Sequence, residues 1–268
     1  EPSSPHIPVR RFSRPWDEWF WIHAKSLTSS GTTSTELVPI EDYLFRYDRG
    51  AFWMGMYAYR HFFVPFCYVF RVLLDYFMHT RIMYHALHAS GYTDRYIIQD
   101  IAFPAANAEA FVDYVDDKFG IYPLWVCPLR RDGRISMGHA KPFEGPVGGQ
   151  KKAGQAYEGE YINVGVWGPY PSSEVEYVSA NRELEKKTSE LGGLKWLYSR
   201  VFYTEDEWWQ LYDKEEYEAL RRKYGATGLP SIWEKVRDRG TKKDDFGTGF
   251  KGLLKRVIKS SALLSGFY

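Results

Sequence analysis

The sequence lacks most features that announce a compartment or a partner. It has 2 cysteines, Cys67 and Cys127, and no Asn-x-Ser/Thr acceptor. That combination favours a reducing compartment over a secreted one. Both thiols stand in apolar surroundings and are expected in the core. An excess of one charge is also missing. A formal net charge of +1 gives no reason to propose nucleic acid as partner. Long hydrophobic runs are absent: the most apolar stretch, Ala51 to Leu87, is cut by Arg60, Arg71 and Asp75 into runs of roughly ten, whereas a spanning helix needs about 20. A buried helix pair is the expectation there, with a membrane-dipping surface as the alternative. The opening, EPSSPHIPVRRFSRP, has no initiator Met and no apolar signal core. Its Pro/Ser/Arg texture is that of a linker, and the whole reads as a piece of a longer protein.

What the sequence has in excess is aromatic residues, 18% in all with 10 Trp and 21 Tyr, on a hydrophobic content of 44% that is ample for a core. Such rings suit a large flat apolar ligand or a membrane interface, or simply an aromatic-rich core. Trp16 to Leu27 reads as a helix. Thr35 to Trp53 reads as one or two strands bent at Gly50.

From Tyr96 onward the patterns alternate in the order β-α-β-β-α-β. Tyr96 to Phe103 is a strand stopped by Pro104. Ala105 to Phe119 sets Ala108, Phe111, Val112 and Val115 on one face of a helix that Gly120 ends. Tyr122 to Leu129 is the second strand, and its two prolines imply that it lies near a sheet edge or bends. Tyr161 to Trp167 is the third. Ser172 or Ser173 caps a helix reaching Leu191, Leu194 to Tyr203 is the fourth strand, and Thr204 with Glu207 forms a capping box for the next helix. The expectation is an α+β fold, a ferredoxin-like antiparallel sheet with helices on one face and an N-terminal helical, aromatic extension. That topology serves many functions and proves none.

Several patterns imitate functional motifs. Gly247-Thr-Gly249-Phe-Lys-Gly252 fits G-x-G-x-x-G, yet no strand precedes it and no ribose-binding acid follows. Gly145 to Gly154 has Gln150 where a phosphate loop needs Lys, and reads as a loop within a Gly-rich insert from Arg130 to Glu160. His79, His85 and His88 fall on one predicted helix, but no third ligand stands at a fitting offset for His85 and His88 to share a metal. No metal site is expected. In the tail, Phe250, Leu253, Leu254, Val257 and Ile258 share a face opposite Lys251, Lys255, Arg256 and Lys259, a pattern for anionic lipid or for packing on a parent protein.

Set side by side, Pro39-Ile-Glu-Asp-Tyr-Leu-Phe-Arg46-Tyr-Asp-Arg49-Gly-Ala-Phe-Trp53, Gln99-Asp100 with Pro104, Tyr122-Pro-Leu-Trp125-Val-Cys-Pro128 and the block from Leu197-Tyr198 through Glu207-Trp208, Tyr217, Leu220-Arg221 and Pro230 to Val236 resemble the C-terminal half of the 24-dehydrocholesterol reductase (Δ24-sterol reductase) family. The resemblance runs from about Pro15 to Val236 and keeps its order. It implies a flavoprotein of the vanillyl-alcohol-oxidase type, in which an N-terminal domain binds FAD and a C-terminal cap encloses the substrate over the flavin ring. NADPH reduces the flavin, which passes hydride to a carbon–carbon double bond outside the sterol ring system, in the flexible side arm. It also implies membrane association at the endoplasmic reticulum, on the cytosolic face. The longer insert and the tail after Arg239 depart from the family pattern.

The expected organisation is then a linker at 1–14, a cap domain at 15–240 made of a helical aromatic part (15–95) and a ferredoxin-like part (96–240), and a basic amphipathic tail at 241–268. Its partners would be its own N-terminal FAD-binding domain, the sterol and a membrane surface, and the isolated chain is expected to be inactive. Trp53, Trp125, Trp167 and Trp196 are candidates for the aromatic walls a rigid apolar sterol requires, with ordinary core packing as the alternative. Arg46 and Arg49 match the family pattern and are candidates to stabilise the negative charge of reduced flavin, unless they pair with Asp42 or Asp48. Reducing an alkene also takes a proton, for which Tyr198, Tyr203 and Asp100 are the candidate donors. A lipid-binding or membrane-docking module without redox chemistry, or the cap of a related flavin oxidase, would read much the same.

Overall fold

The computed structural model describes residues 7–31, 33–90, 96–131, 159–170 and 173–238. Ser172, the side chain of His88, most of the Gly-rich insert, both glycine motifs and the basic tail lie outside the described residues. The protein divides into two compact units, the first holding described residues 7–90 and the second described residues 96–238.

The second unit realises the β-α-β-β-α-β order: β1 (Tyr96–Pro104), α6 (Ala105–Phe119), β2 (Trp125–Arg131), β3 (Gly159–Pro169), α7 (Glu174–Glu190) and β4 (Leu194–Lys195). The sheet order is β2-β3-β1-β4 and every neighbouring pair is antiparallel, which is the ferredoxin-like arrangement. β2 is an edge strand, a position that accommodates Pro128. Gly120 ends α6 in the left-handed conformation at φ 57, which lets its N–H reach the last carbonyls. Ser173 and Glu176 form a capping box that starts α7.

Strand period decides which side chains the helices cover. Ile97, Ile101 and Phe103 of β1 and Val164 and Val166 of β3 point to one face, against Phe111 and Val115 of α6 and Tyr177 and Leu184 of α7. The Phe103 and Phe111 rings lie 4.2 Å apart at the centre of that core. Truncating either ring there costs about 3–5 kcal/mol.

Leu194 to Tyr203 is not a strand beyond Lys195, contrary to the sequence pattern. Side-chain bonds replace the ladder. Ser199 Oγ donates to Gln99 Oε1 (2.8 Å), Lys195 Nζ donates to the Arg200 carbonyl (2.5 Å), and the Phe202 N–H donates to Glu185 (2.9 Å). After this segment come α8 (Glu205–Leu211), opened by the Thr204 and Glu207 capping box, α9 (Lys214–Lys223) and α10 (Ile232–Val236).

The first unit is helical: α1 (Phe20–Ser30), α2 (Ile40–Leu44), α3 (Met54–His61), α4 (Tyr68–Leu73), a 3-10 turn over Asp75–Met78 and α5 (Thr80–Ser90). The strands expected between Thr35 and Trp53 are absent from the described residues. Pro39, followed by Glu41 and Asp42 in the first turn, starts a helix instead, and Asp42 accepts from the Phe12 and Ser13 N–H groups (2.8 and 2.9 Å). Gly50, at φ 77, leaves the slot that the Trp19 ring fills: a Cβ there would sit 2.6 Å from the ring. The two thiols are not core groups, since Cys67 is exposed and Cys127 half-buried. No helix among the described residues is long and apolar enough to cross a membrane.

Candidate active site

The sheet face opposite α6 and α7 is where the candidate residues gather. Register places Asp100 opposite Gly165, Trp125 opposite Gly165 from the other side, and Ile98 opposite Trp167. Paired residues share a face, so Asp100, Trp125, Asn163, Gly165 and Trp167 all lie on the side that the helices do not cover. Asp100 is 6% exposed and sits at the centre. Its Oδ1 accepts from Asn163 Nδ2 (2.9 Å), and its Oδ2 accepts from Trp167 Nε1 (3.0 Å) and from the Tyr198 hydroxyl. Trp196 joins through its own N–H: Nε1 donates to Asn163 Oδ1 (2.6 Å), and its backbone N–H donates to the Asp100 carbonyl (3.0 Å). Five predicted residues from separate parts of the sequence, Asp100, Trp125, Trp167, Trp196 and Tyr198, therefore meet on one surface.

The geometry gives this carboxylate an unusual setting. It is buried, yet all three of its side-chain partners are neutral donors. Tyr198 is 62% exposed as a residue, but its hydroxyl is turned inward to Asp100, so desolvation there and the adjacent Asp100 carboxylate both push the phenol's pKa up. Gly165 keeps the centre open: a Cβ would lie 2.6 Å from Asp100 Oδ1 and 2.9 Å from the Trp125 Cβ.

Asn163 and Gly165 did not emerge from the sequence as site residues. The signal was present, since they precede Trp167 by four and two positions on β3 and so share its face.

Tyr203 is in a different place. Its hydroxyl donates to the Glu185 carbonyl (3.3 Å), beside a buried ion pair in which Lys195 Nζ donates to Glu185 Oε1 (2.5 Å). Burial, then the nearby Glu185 carboxylate, push the Tyr203 phenol up. Burial likewise raises the Glu185 carboxyl and lowers the Lys195 ammonium, and each opposes the shift in the other. This group ties α7 to the segment after β4.

The remaining candidates belong to the first unit. Trp53 is 4% exposed, with its ring 6.1 Å from that of Phe52. Arg49 is buried and committed: Nε and Nη2 donate to Asp75 (2.6 and 3.1 Å), and Nη1 to the Phe12 carbonyl (3.3 Å). That donor set does not fit a role at a flavin edge. Arg46 stacks over Tyr43 (4.1 Å), Tyr47 (4.7 Å) and Phe20 (5.4 Å) and spends one N–H on the Tyr43 carbonyl, which leaves guanidinium donors for an anionic ring edge. Neither arginine pairs with Asp42 or Asp48, whose partners are Arg11 and His79. His79 thus serves a carboxylate, and no cluster among the described residues could hold a metal ion.

No family model and no solved structure matches the chain. Curated sterol reductases do. The Delta(24)-sterol reductase of Homo sapiens is 23% identical over 226 residues, 81% of this chain and 40% of that protein. That of Arabidopsis thaliana is 26% identical over 240 residues, 84% of this chain and 42% of that protein. The chain is related to the Delta(24)-sterol reductases. A Delta(24)-sterol reductase homolog of Caenorhabditis elegans is 22% identical over 236 residues, so the relation extends across animals and plants. The chain spans about 40% of the length of the curated relatives it matches. These relatives are, by name, oxidoreductases acting on sterols.

Proposed function

We propose that the chain is the substrate cap of an FAD-dependent reductase that saturates the Δ24 double bond of a sterol with NADPH as reductant. In this reading the Asp100 face of the sheet turns toward the flavin held by an FAD-binding domain of the same protein, and the protein works at the endoplasmic reticulum membrane from its cytosolic side. The observation that carries the reading is the convergence of Asp100, Tyr198, Trp125, Trp167 and Trp196 on one sheet face. A rigid apolar plate needs indole walls with a few polar groups among them, and that is the composition of this face. The kinship with sterol reductases gives the plate its chemical class.

Flavin reduced by NADPH supplies a hydride when bound. The part played by this protein's own residues is the proton. Before a sterol closes over the face, solvent supplies one proton to the hydrogen-bonded Asp100–Tyr198 pair, which reaches the surface through Tyr198. The hydrogen bond to Tyr198 then reverses. As the Tyr198 proton goes to an alkene carbon, the proton on Asp100 Oδ2 passes to the Tyr198 oxygen, and the carboxylate left behind keeps the N–H groups of Asn163 and Trp167. Direct loss of the Tyr198 proton would place a phenolate beside a carboxylate, which the upward push on its pKa disfavours. Trp125, Trp167 and Trp196 orient the substrate and exclude water.

The test joins the chain to its native upstream half. The purified protein should carry flavin visible by absorbance and consume NADPH while desmosterol loses its double bond. A flavin-free product, or flavin reoxidised only by oxygen, refutes the reading in favour of a binding module or an oxidase cap respectively.

A further inference from the structure

We propose that residues 60–77 of the first unit form a docking plateau that seats on anionic phospholipid. The proposal locates the membrane contact assumed above, and it rests on exposed side chains rather than on any flavin or sterol chemistry.

The segment His61 to Phe70, HFFVPFCYVF, is an uncharged and largely apolar run, and such a run normally goes inside. Here it does not. Phe63 is 94% exposed, Leu73 71%, Val69 58% and Tyr68 55%, and Tyr76 and Phe77 continue the surface. No residue of α4 is buried. These side chains stand on fixed supports: the Tyr59 hydroxyl donates to the Phe70 carbonyl (3.1 Å), the Val64 N–H donates to the Tyr59 carbonyl (3.0 Å), and Phe66 packs edge-on against Trp19 at 5.5 Å. Phe63 itself holds φ 55, a left-handed conformation costly for a bulky residue, and so presents its ring outward at the expense of backbone strain.

Charge chooses the occupant. Arg60, Arg71 and Arg81 flank the apolar groups, and Asp75, the only acid between Ala51 and Ser90, is buried and bound to Arg49. The exposed charges this stretch itself contributes are therefore cationic, the neighbouring Asp48 carboxylate being taken up by His79, and Tyr68, Tyr76 and Tyr84 supply the amphipathic rings that suit a headgroup layer. A second copy of the protein fits poorly, because a two-fold contact would set these arginines against their own images.

Cosedimentation of the 268-residue chain with vesicles tests this. Vesicles of phosphatidylcholine with about 30% phosphatidylserine should bind it at least about tenfold more tightly than phosphatidylcholine alone. Phe63→Asn with Leu73→Asn should lower that binding about tenfold, and Asn tolerates the left-handed position. Arg60→Gln with Arg81→Gln, which gives up the Arg60 contact over the Tyr57 ring (5.9 Å) but no buried group, should abolish the preference for anionic lipid with little change in melting temperature. Wild-type protein that stays in the supernatant, binding that survives both pairs of substitutions, or a dimer on gel filtration that the Asn pair dissolves would overturn the proposal. If vesicle binding behaves as stated while the full-length protein fails to reduce desmosterol, the plateau stands and the reductase reading falls.

Discussion

Two buried carboxylates, one on each face of the same sheet, show how alike residues are put to different uses. Glu185 lies on the helix-covered side, 1% exposed, with a cation in contact, two bonds from the Phe202 N–H and no opening to solvent. Asp100 lies on the other side, equally short of water, but with neutral donors only and a lead to the surface through the exposed Tyr198 and Trp196. The first arrangement ties α7 to the segment that follows β4. The second connects the carboxylate to the outside through hydrogen-bonded side chains, which is what the proposed proton transfer requires. Burial of a charge therefore does not mark a site. Its partners and its route to solvent are what set the proposed site apart.

The largest expected effect sharpens the structural half of that contrast. Glu185→Ala strands the Lys195 ammonium in the core and should cost about 3–5 kcal/mol in chemical denaturation. Replacing both partners, Glu185→Leu with Lys195→Met, should recover most of the loss. A single variant as stable as the wild type would mean that the pair is not closed off. Next comes Gly165→Ala on the Asp100 face. Its Cβ would meet the Asp100 carboxylate and the Trp125 Cβ, both tighter than contact distance, at a cost of about 1–3 kcal/mol with a shift in Trp fluorescence. Full stability in that variant would show that the centre of the face has spare room.

The smaller effects lie outside both clusters. Thr204→Ala removes the acceptor for the Glu207 N–H and should lower stability by about 1 kcal/mol at neutral pH. The smallest is a pH effect. The Thr204 N–H, together with Arg182, holds the Glu207 carboxyl below the usual carboxylate range. Its folded pKa is depressed, so its contribution is present above the unfolded value of about 4.3 and is lost as pH falls through the folded one. Glu207→Gln should therefore be less stable than wild type by about 0.5 kcal/mol at pH 7, the scale of an exposed pair, and the gap should close in acid. A gap that widens on acidification would reverse the assignment.

Much of the second unit could be read in the residues because its signals are local. Period-two alternation, Pro104 before α6, Gly120 after it and the boxes at Ser173 and Thr204 each act within a few positions. What was misread depends on distant partners. Leu194 to Tyr203 has strand-like composition, but Gln99 and Glu185, 100 and 17 positions from the groups they bind, capture its polar groups first. The stretch after Thr35 reads as one or two strands, while Pro39 and the two acids behind it favour a helix whose Asp42 reaches Phe12. Of the candidate site, the aromatic members were legible as residue types. Their meeting around Asp100 was not, since register and the turn after Lys195 bring it about. The commitment of Arg49 to Asp75 likewise spans 26 positions.

The contrast between the two carboxylates turns on whether Asp100 and Tyr198 move a proton. The direct measurement is NADPH-dependent turnover of desmosterol by the full-length protein carrying Tyr198→Phe, with its melting temperature and solvent deuterium isotope effect recorded beside the wild type. Proton donation through Tyr198 predicts turnover lower by about a hundredfold or more, a protein that stays folded with only the modest fall in melting temperature expected of one lost hydrogen bond, and a solvent isotope effect in the wild type. Wild-type turnover in the Phe variant would contradict it.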